Sequence, residues 1–351
     1  MNIGKFYESL KIEGNRGADC LHLSIFVAMP KLKLLAFGFL FFAVLHAEAQ
    51  YRWDFGVGVG ASNYLGEIGG QEETRRDFVF DMKLNRTQWV FGGFGRYKLS
   101  QGLSVNLGVN YGRIRANDYN SRNPARVSRN LSFRNDILEV AARLEITLFY
   151  DNDVSGRGYY NPDFRMYGFI GAGVMKHNPK ARYWGGLDEF NGEWVDLQPL
   201  RTEGFEYNLI DFTLPAGLGM YFTHLRHHRF GFEIGYRTTF TDYLDDVSRQ
   251  YVTDDRLSQE HNQLAREMAN RTNAASLRRA EDYAIQYGMD VPNAGSFAPG
   301  EKRGDPTNND GYLFAQFTYS YVIKGQSEFS RRKYGWMKKK SRVRRKSRAK
   351  F

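Results

Sequence analysis

His224, His227 and His228 stand close together in the segment THLRHHR. Imidazoles so grouped can hold a metal or shuttle a proton. The acids beside them are few and the segment between its two apolar neighbours is short, which favours a polar turn. Downstream, Asp242, Asp245 and Asp246 form an acidic patch, extended by Asp254 and Asp255. Carboxylates at this density suit Ca²⁺, or pairing with Arg249 and Arg256. They do not follow the EF-hand spacing. Ser, His and acids all occur, but no G-x-S-x-G stretch brings a nucleophile to a strained turn. The single cysteine, Cys20, lies before the expected mature start and offers that chain no disulfide, thiolate or Cys-bound metal. The sequence thus predicts no enzyme, no catalytic residue, no metal and no cofactor.

The strongest charge feature is the C-terminal segment. From Lys324 to Phe351 there are 13 Lys or Arg and one acid. Arg331, Arg332, Lys333, Lys338, Lys339, Lys340, Arg342, Arg344, Arg345 and Lys346 are the candidate partner contacts. In a cytoplasmic protein such a run reads as nucleic-acid binding. The front of the chain removes that partner. Met29-Pro30-Lys31-Leu32-Lys33 precedes an apolar run, Leu34 to Leu45, that ends in Ala47-Glu48-Ala49. This is the layout of a secretory signal peptide cleaved before Gln50. Residues 1–28 are expected to be an upstream extension, with Met29 the true start, and 29–49 the signal. The basic tail, 325–351, then has an acidic periplasmic protein, anionic lipid or the cell wall as its partner classes.

The elements between these ends are short runs that alternate. Tyr, Phe and Gly are abundant, with 22, 27 and 36 residues. In YRWDFGVGVG, Trp53, Phe55, Val57 and Val59 fall on one face; Asp54 and three glycines fall on the other. Further strands are expected at 88–99, 103–115, 135–150 and 164–175, as a hairpin within 205–241, and at 311–324. In the fourth, Glu139, Arg143 and Glu145 share a face that lipid would penalise, so they should point inward as lumen-filling ion pairs. A short element is expected near Phe78–Met82 and a helix over 256–287, with Leu257, Leu264, Met268, Leu277 and Ile285 as its incomplete apolar stripe.

Eight strands make an even number, and closure removes the edges that a bilayer cannot tolerate. The intervening loops alternate strictly between long and short. The expectation is an all-β fold: an eight-stranded antiparallel transmembrane β-barrel over 50–324, with long extracellular loops, one of them (244–309) partly helical, and a basic periplasmic tail. Both termini would be periplasmic and outer-membrane lipid would surround the wall. An eight-stranded barrel is narrow enough for side chains to fill, which argues against a wide pore.

The segments WDFGVGVGASNYLGEIGG (53–70), LSFRNDILEV (131–140) and RTTFTDYLDDVSRQY (237–251) carry a resemblance. The first contains F-G-x-x-x-G-x-x-x-Y-x-G-(D/E). Together they resemble a Bacteroidota outer-membrane β-barrel family that includes PorG, the barrel component of the type IX secretion system. That resemblance implies an adaptor of the secretion and gliding machinery, linking the membrane to a periplasmic ring of PorK and PorN types, with no catalytic residues. The alternative is a narrow outer-membrane channel or small-solute porin.

Overall fold

The computed structural model describes residues 51–69, 86–121, 123–151, 163–225, 227–259, 262–290 and 297–324. The extension 1–28, the signal peptide 29–49, the element near Phe78–Met82 and the basic tail 325–351 lie outside them.

Eight strands form the wall: β1 (Tyr51–Leu65), β2 (Gln88–Lys98), β3 (Leu103–Asn117), β4 (Ser132–Asp151), β5 (Asp163–Lys176), β8 (Ile210–His224), β9 (His228–Thr239) and β10 (Gly311–Lys324). Each pairs antiparallel with its neighbour. β1 then pairs with β10 from Tyr51↔Lys324 to Leu65↔Gly311, which closes the sheet on itself. No helix among the described residues is long and apolar enough to cross a membrane; the crossing is made by strands.

The alternation read from the sequence sets the two faces. Trp53, Phe55, Val57 and Val59 are exposed on the outside of β1, as are Leu107 and Val109 on β3 and Leu138, Val140 and Leu144 on β4. An apolar belt of this kind, bared over the full width of a closed sheet, is stable against lipid and not against water. The opposite set is buried: Asp54, Arg96, Asn106, Glu139, Arg143, Glu145 and Glu233 all turn into the lumen. Glycines make room there. A Cβ at Gly217 would lie 2.7 Å from the Phe169 ring and 2.2 Å from the Ile234 carbonyl, so only glycine lets that ring lie against the inner face of the wall.

The long loops hold more structure than their composition suggests. Two short strands, β6 (Pro179–Arg182) and β7 (Trp194–Asp196), sit in the segment expected to be plain loop. β6 pairs with the end of β4 and β7 pairs with β6, so the wall continues past the barrel on one side. Asn123 caps helix α1 (Pro124–Arg129), and Pro124 occupies its first turn, where a missing N–H costs nothing.

The helix expected over 256–287 is two helices, α2 (Asn262–Ala269) and α3 (Ala274–Tyr287). The break is chemical. The Asn270 side chain accepts a bond from the Thr272 N–H, and Asn273 forms a capping box with Ser276. The expected stripe is accordingly corrected. Leu257, Leu264 and Met268 are buried, but Ile285 is 78% exposed. α3 instead packs through Ser276, Ala280 and Ala284, small residues that allow close approach to α1. Ser276 Oγ donates to the Ser128 carbonyl at 2.9 Å.

Candidate functional site

The inward side chains form two distinct fillings. At the end of the short turns, Arg96 of β2 reaches across the lumen. Its Nε donates to Glu145 Oε2 at 2.5 Å, its Nη1 to Asp54 at 3.1 Å and its Nη2 to the Tyr167 hydroxyl at 3.2 Å, with Glu233 at 3.5 Å. Those partners come from β4, β1, β5 and β9. Arg143 of β4 spans to Glu233 of β9 at 2.8 Å, and the Tyr167 hydroxyl also donates to Glu233. Arg229 pairs with Asp54. Higher up, Arg237 of β9 meets Glu139 of β4 at 3.3 Å, and the Tyr312 hydroxyl donates to the same carboxylate at 2.7 Å.

Each of these four arginines faces one of four carboxylates, so the network neutralises itself. Buried ions persist only when paired and hydrogen-bonded in this way. The expected ion pairs of Arg143 with Glu139 and Glu145 are therefore re-partnered: Arg143 takes Glu233, Glu145 takes Arg96 and Glu139 takes Arg237. Strand alternation puts these groups in the lumen but does not say which wall they face across it.

At the loop end the filling is apolar. Tyr64, Val90, Ile114, Phe133, Ile137, Met175 and Phe314 from the wall pack with Ile68, Leu131, Leu244 and Val247 from the loops. The three segments that carry the family resemblance meet here. Asn135 Nδ2 donates to the Leu244 carbonyl at 2.8 Å, and Asn135 Oδ1 accepts from the Asn178 N–H at 2.8 Å. The Tyr64 hydroxyl lies 2.6 Å from both Asp245 Oδ2 and Asp310 Oδ1, and it accepts from the Glu67 N–H at 3.1 Å. A Cβ on Gly66 would sit 1.9 Å from that hydroxyl. A phenol has one proton to donate. Two carboxyls at 2.6 Å therefore require that one of them bring its own, so the two carboxyls share one proton besides the phenol's.

The electrostatics agree with that geometry. Burial and the Glu67 charge push Asp245 up to about 8. Burial, then Asp245 and Asp242, push Asp310 well above the usual carboxylate range.

The acidic patch read from the sequence lies inside the cap. Asp242, Asp245 and Asp246 are all buried. Asp246 has φ +67°, a left-handed conformation that Asp tolerates, and this turn sends neighbouring carboxylates to different partners. Asp245 goes to Tyr64. Asp246 accepts from Thr202 Oγ1 and, at 2.8 Å, from the Tyr207 hydroxyl, with Arg303 at 3.6 Å. Burial raises Asp246 to about 6, against the pull of Arg303.

The cation that serves this region is Arg303, not Arg249 or Arg256. Arg303 Nη1 donates to Glu203 Oε1 at 2.8 Å and to the Asp246 carbonyl at 2.6 Å, whereas Arg249 lies over the Phe205 ring. Asp254 pairs with Arg266 at 2.8 Å on the surface. A second buried arginine, Arg129, binds Asp118 at 2.6 Å and the carbonyls of Arg303 and Glu67 at 2.7 and 3.1 Å. Burial lowers its affinity for the proton, yet Asp118 and Glu67 outweigh that and the net shift is upward. Arg129 and Arg303 therefore tie all four long loops into one cap. Nothing in the sequence marked them, because all their partners but Asp118 lie far off, 57 to 174 residues away in the chain.

The histidines belong to the opposite end. His227 stacks on Tyr321 with ring centroids 5.4 Å apart, and His228 Nδ1 lies 2.9 Å from the Tyr319 hydroxyl. Both of these rings are engaged with β10. Among the described residues no group of His, Cys, Asp or Glu is arranged to hold a metal ion. The basic residues from Arg331 to Lys346 named as partner contacts lie outside the described residues.

A closed antiparallel eight-stranded barrel with an apolar outer belt and a self-neutralising lumen is an outer-membrane β-barrel protein. The chain belongs to the family described as a domain of unknown function, DUF6089, which matches residues 32–259. Comparison with curated proteins yields no match. Among solved structures the chain is similar to OprG from Pseudomonas aeruginosa, at 9% identity over 79% of this chain and 99% of that one, TM-score 0.33. It is similar also to Ail, the attachment invasion locus protein of Yersinia pestis, at 9% identity over 78% and 99%, TM-score 0.31. Neisserial surface protein A matches at 7% identity over 77% and 96%, TM-score 0.31.

Proposed function

We propose that this outer-membrane barrel is a closed platform for protein contacts rather than a conduit. The observation that supports this is the set of arginine bridges that run from wall to wall, Arg96 to Glu145 and Glu233, Arg143 to Glu233, and Arg237 to Glu139. A solute moving along the axis would have to break buried, charge-balanced pairs, and then an apolar plug. In this reading the loop end with its tied cap faces outward, the short turns face the periplasm, and both termini are periplasmic, as the loop alternation favours.

In its finer form the platform is the outer-membrane subunit of the type IX secretion and gliding machinery. The quoted sequence segments support that form, and the basic tail supplies a joint to periplasmic ring proteins of PorK and PorN types. Full-length protein and a form truncated after Lys324 are to be recovered side by side from solubilised outer membranes. Ring proteins retained by the first and lost by the second are the expected result. Absence of ring proteins from both would end this form of the proposal.

The polar character of the lower lumen favours a second reading, a narrow channel whose arginine bridges swing aside. Planar-bilayer recordings of the full-length protein separate the two. Steady unitary conductance would replace the platform with the channel.

A further inference from the structure

On the outer face of the wall, above the apolar belt, the strand register sets like charges against one another. Arg115 of β3 is directly opposite Arg134 of β4, and Arg134 is directly opposite Lys180 of β6. Like charges at facing positions of an antiparallel pair are destabilising unless something neutralises them. Within the row the acids do not suffice. Lys180 has Asp196 at 2.7 Å. Asp136 is taken by Arg113, at 2.6 Å, and stands 4.0 Å from Arg134. Arg134 Nε finds no hydrogen-bond acceptor among the described residues. Arg115 is exposed. Arg86, just before β2, crowds it from the other side and is held below the usual guanidinium range by partial burial and by Arg115 itself.

The position of the row names the anion's carrier. On β4, Arg134 lies two pairs above Leu138, the last exposed apolar residue of the belt. At about 3.3 Å per residue along a tilted strand, the row sits roughly 10 Å beyond the hydrocarbon edge. That is headgroup depth. Aromatics flank it as they do at lipid interfaces: Trp194 lies under Arg134 at 4.2 Å, and Trp89 under Arg113 at 5.3 Å.

We infer that the row of Arg115, Arg134 and Lys180 is a binding site for lipid-borne phosphate, the phosphorylated headgroup of a lipid A-type glycolipid in the outer leaflet. Guanidinium forks match phosphate oxygens in pairs, and a phosphate between Arg115 and Arg134 turns their repulsion into a shared attraction. The inference rests on the loop end facing outward, as proposed above.

The test uses the full-length protein in neutral detergent. It is offered diphosphoryl lipid A, the same lipid with its phosphates removed, phosphatidylglycerol, or inorganic phosphate, and bound lipid is counted by native mass spectrometry. The wild type should retain diphosphoryl lipid A on the order of tenfold to a hundredfold better than the dephosphorylated form. The variant Arg115→Gln, Arg134→Gln, Lys180→Gln should lose that preference. A control with Arg266→Gln and Lys302→Gln, two exposed cap cations, should keep it. The triple variant should also be at least as heat-stable as the wild type in this detergent, because opposed like charges have been removed. Equal retention of both lipid A forms, full retention by the triple variant, or its clear destabilisation would each overturn the site. Displacement of the lipid by millimolar inorganic phosphate would show a free-anion site instead. Preference for phosphatidylglycerol would overturn the glycolipid assignment, and whole-cell labelling of Ile285→Cys would then tell whether the outward orientation had failed with it.

Discussion

The same inward-facing positions of one barrel are filled in two opposite ways. Toward the turn end, wall strands alone contribute, and the filling is three arginines against three carboxylates, with Arg237 and Glu139 a step above them. Toward the loop end, chain returns from Leu244, Val247 and Ile68, and the filling is apolar. The difference is one of available partners. A narrow lumen lined only by strands has no loop to bring apolar mass to its axis, and long polar side chains are what reach across it. Arg96 does so with three separate nitrogens. Where loops can fold back, they supply Leu244 and Val247, and the polar groups they also bring are gathered on one shared-proton trio and two arginines. The lower filling is thus set by the strands, and the upper filling depends on the loops staying docked.

The contrast can be broken most strongly below. Arg96→Met leaves Asp54, Glu145 and Glu233 buried around an apolar chain. Losing one partner of a buried ion network costs about 3–5 kcal/mol. The expected outcome is a barrel whose heat-induced mobility shift on gels occurs at a markedly lower temperature, with Glu145→Gln in the same chain recovering part of the loss. A barrel as stable as the wild type would mean that the lumen is wet enough to dispense with the pairing.

The matching cut above is Leu244→Ala. Leu244 is fully buried beneath the cap, and such truncations cost about 2–5 kcal/mol. The effect should be local. Protease access and hydrogen exchange should rise in the loops, while the gel-shift temperature of the wall changes little. Equal loosening of loops and wall would show that plug and barrel fold as one unit.

Much of the lower region was legible beforehand. Period-two alternation placed Glu139, Arg143 and Glu145 in the lumen, and set the final strand at 311–324, where it is found. Their partners were not legible, because facing across a closed cylinder depends on tilt and stagger and not on spacing along a strand. The cap was largely hidden. Asp242, Asp245 and Asp246 read as one acidic patch since they follow a strand in a polar segment; that the chain turns at Asp246 and buries them among different partners is a tertiary event. The helical reading of 256–287 failed at a local signal that was present, the asparagines at 270 and 273.

A third test acts on the shared proton. Asp245 is raised to about 8 from an ordinary carboxylate value near 4. The folded cap therefore binds a proton more tightly than the open one. Its contribution is complete below pH ~4, and is lost as pH rises toward about 8. Loop exchange rates, corrected for intrinsic chemistry, should rise by roughly tenfold or more across that window. In Asp245→Asn, which keeps the shape and a carbonyl acceptor for the Tyr64 hydroxyl, the slope should flatten. An unchanged slope would place the titration elsewhere, with Asp310, the other carboxyl of the trio, the next group to substitute.

The smallest expected effect sharpens the boundary of the cap itself. Asn273 caps α3 by accepting the Ser276 N–H at 2.9 Å, and Ser276 returns a bond to the Asn273 N–H, at 3.0 Å. Asn273→Ala removes the first of these and should cost about 1 kcal/mol. The same Ser276 hydroxyl donates to the Ser128 carbonyl, so fraying at the start of α3 should carry into α1 and no further. Hydrogen exchange resolved by segment checks this: faster exchange in 124–130 and 274–280, with α2 and the wall unchanged. Spread of the effect into 262–269 would mean that the break at Asn270 to Asn273 is a rigid corner rather than a joint, and that the cap moves as a single body on the barrel.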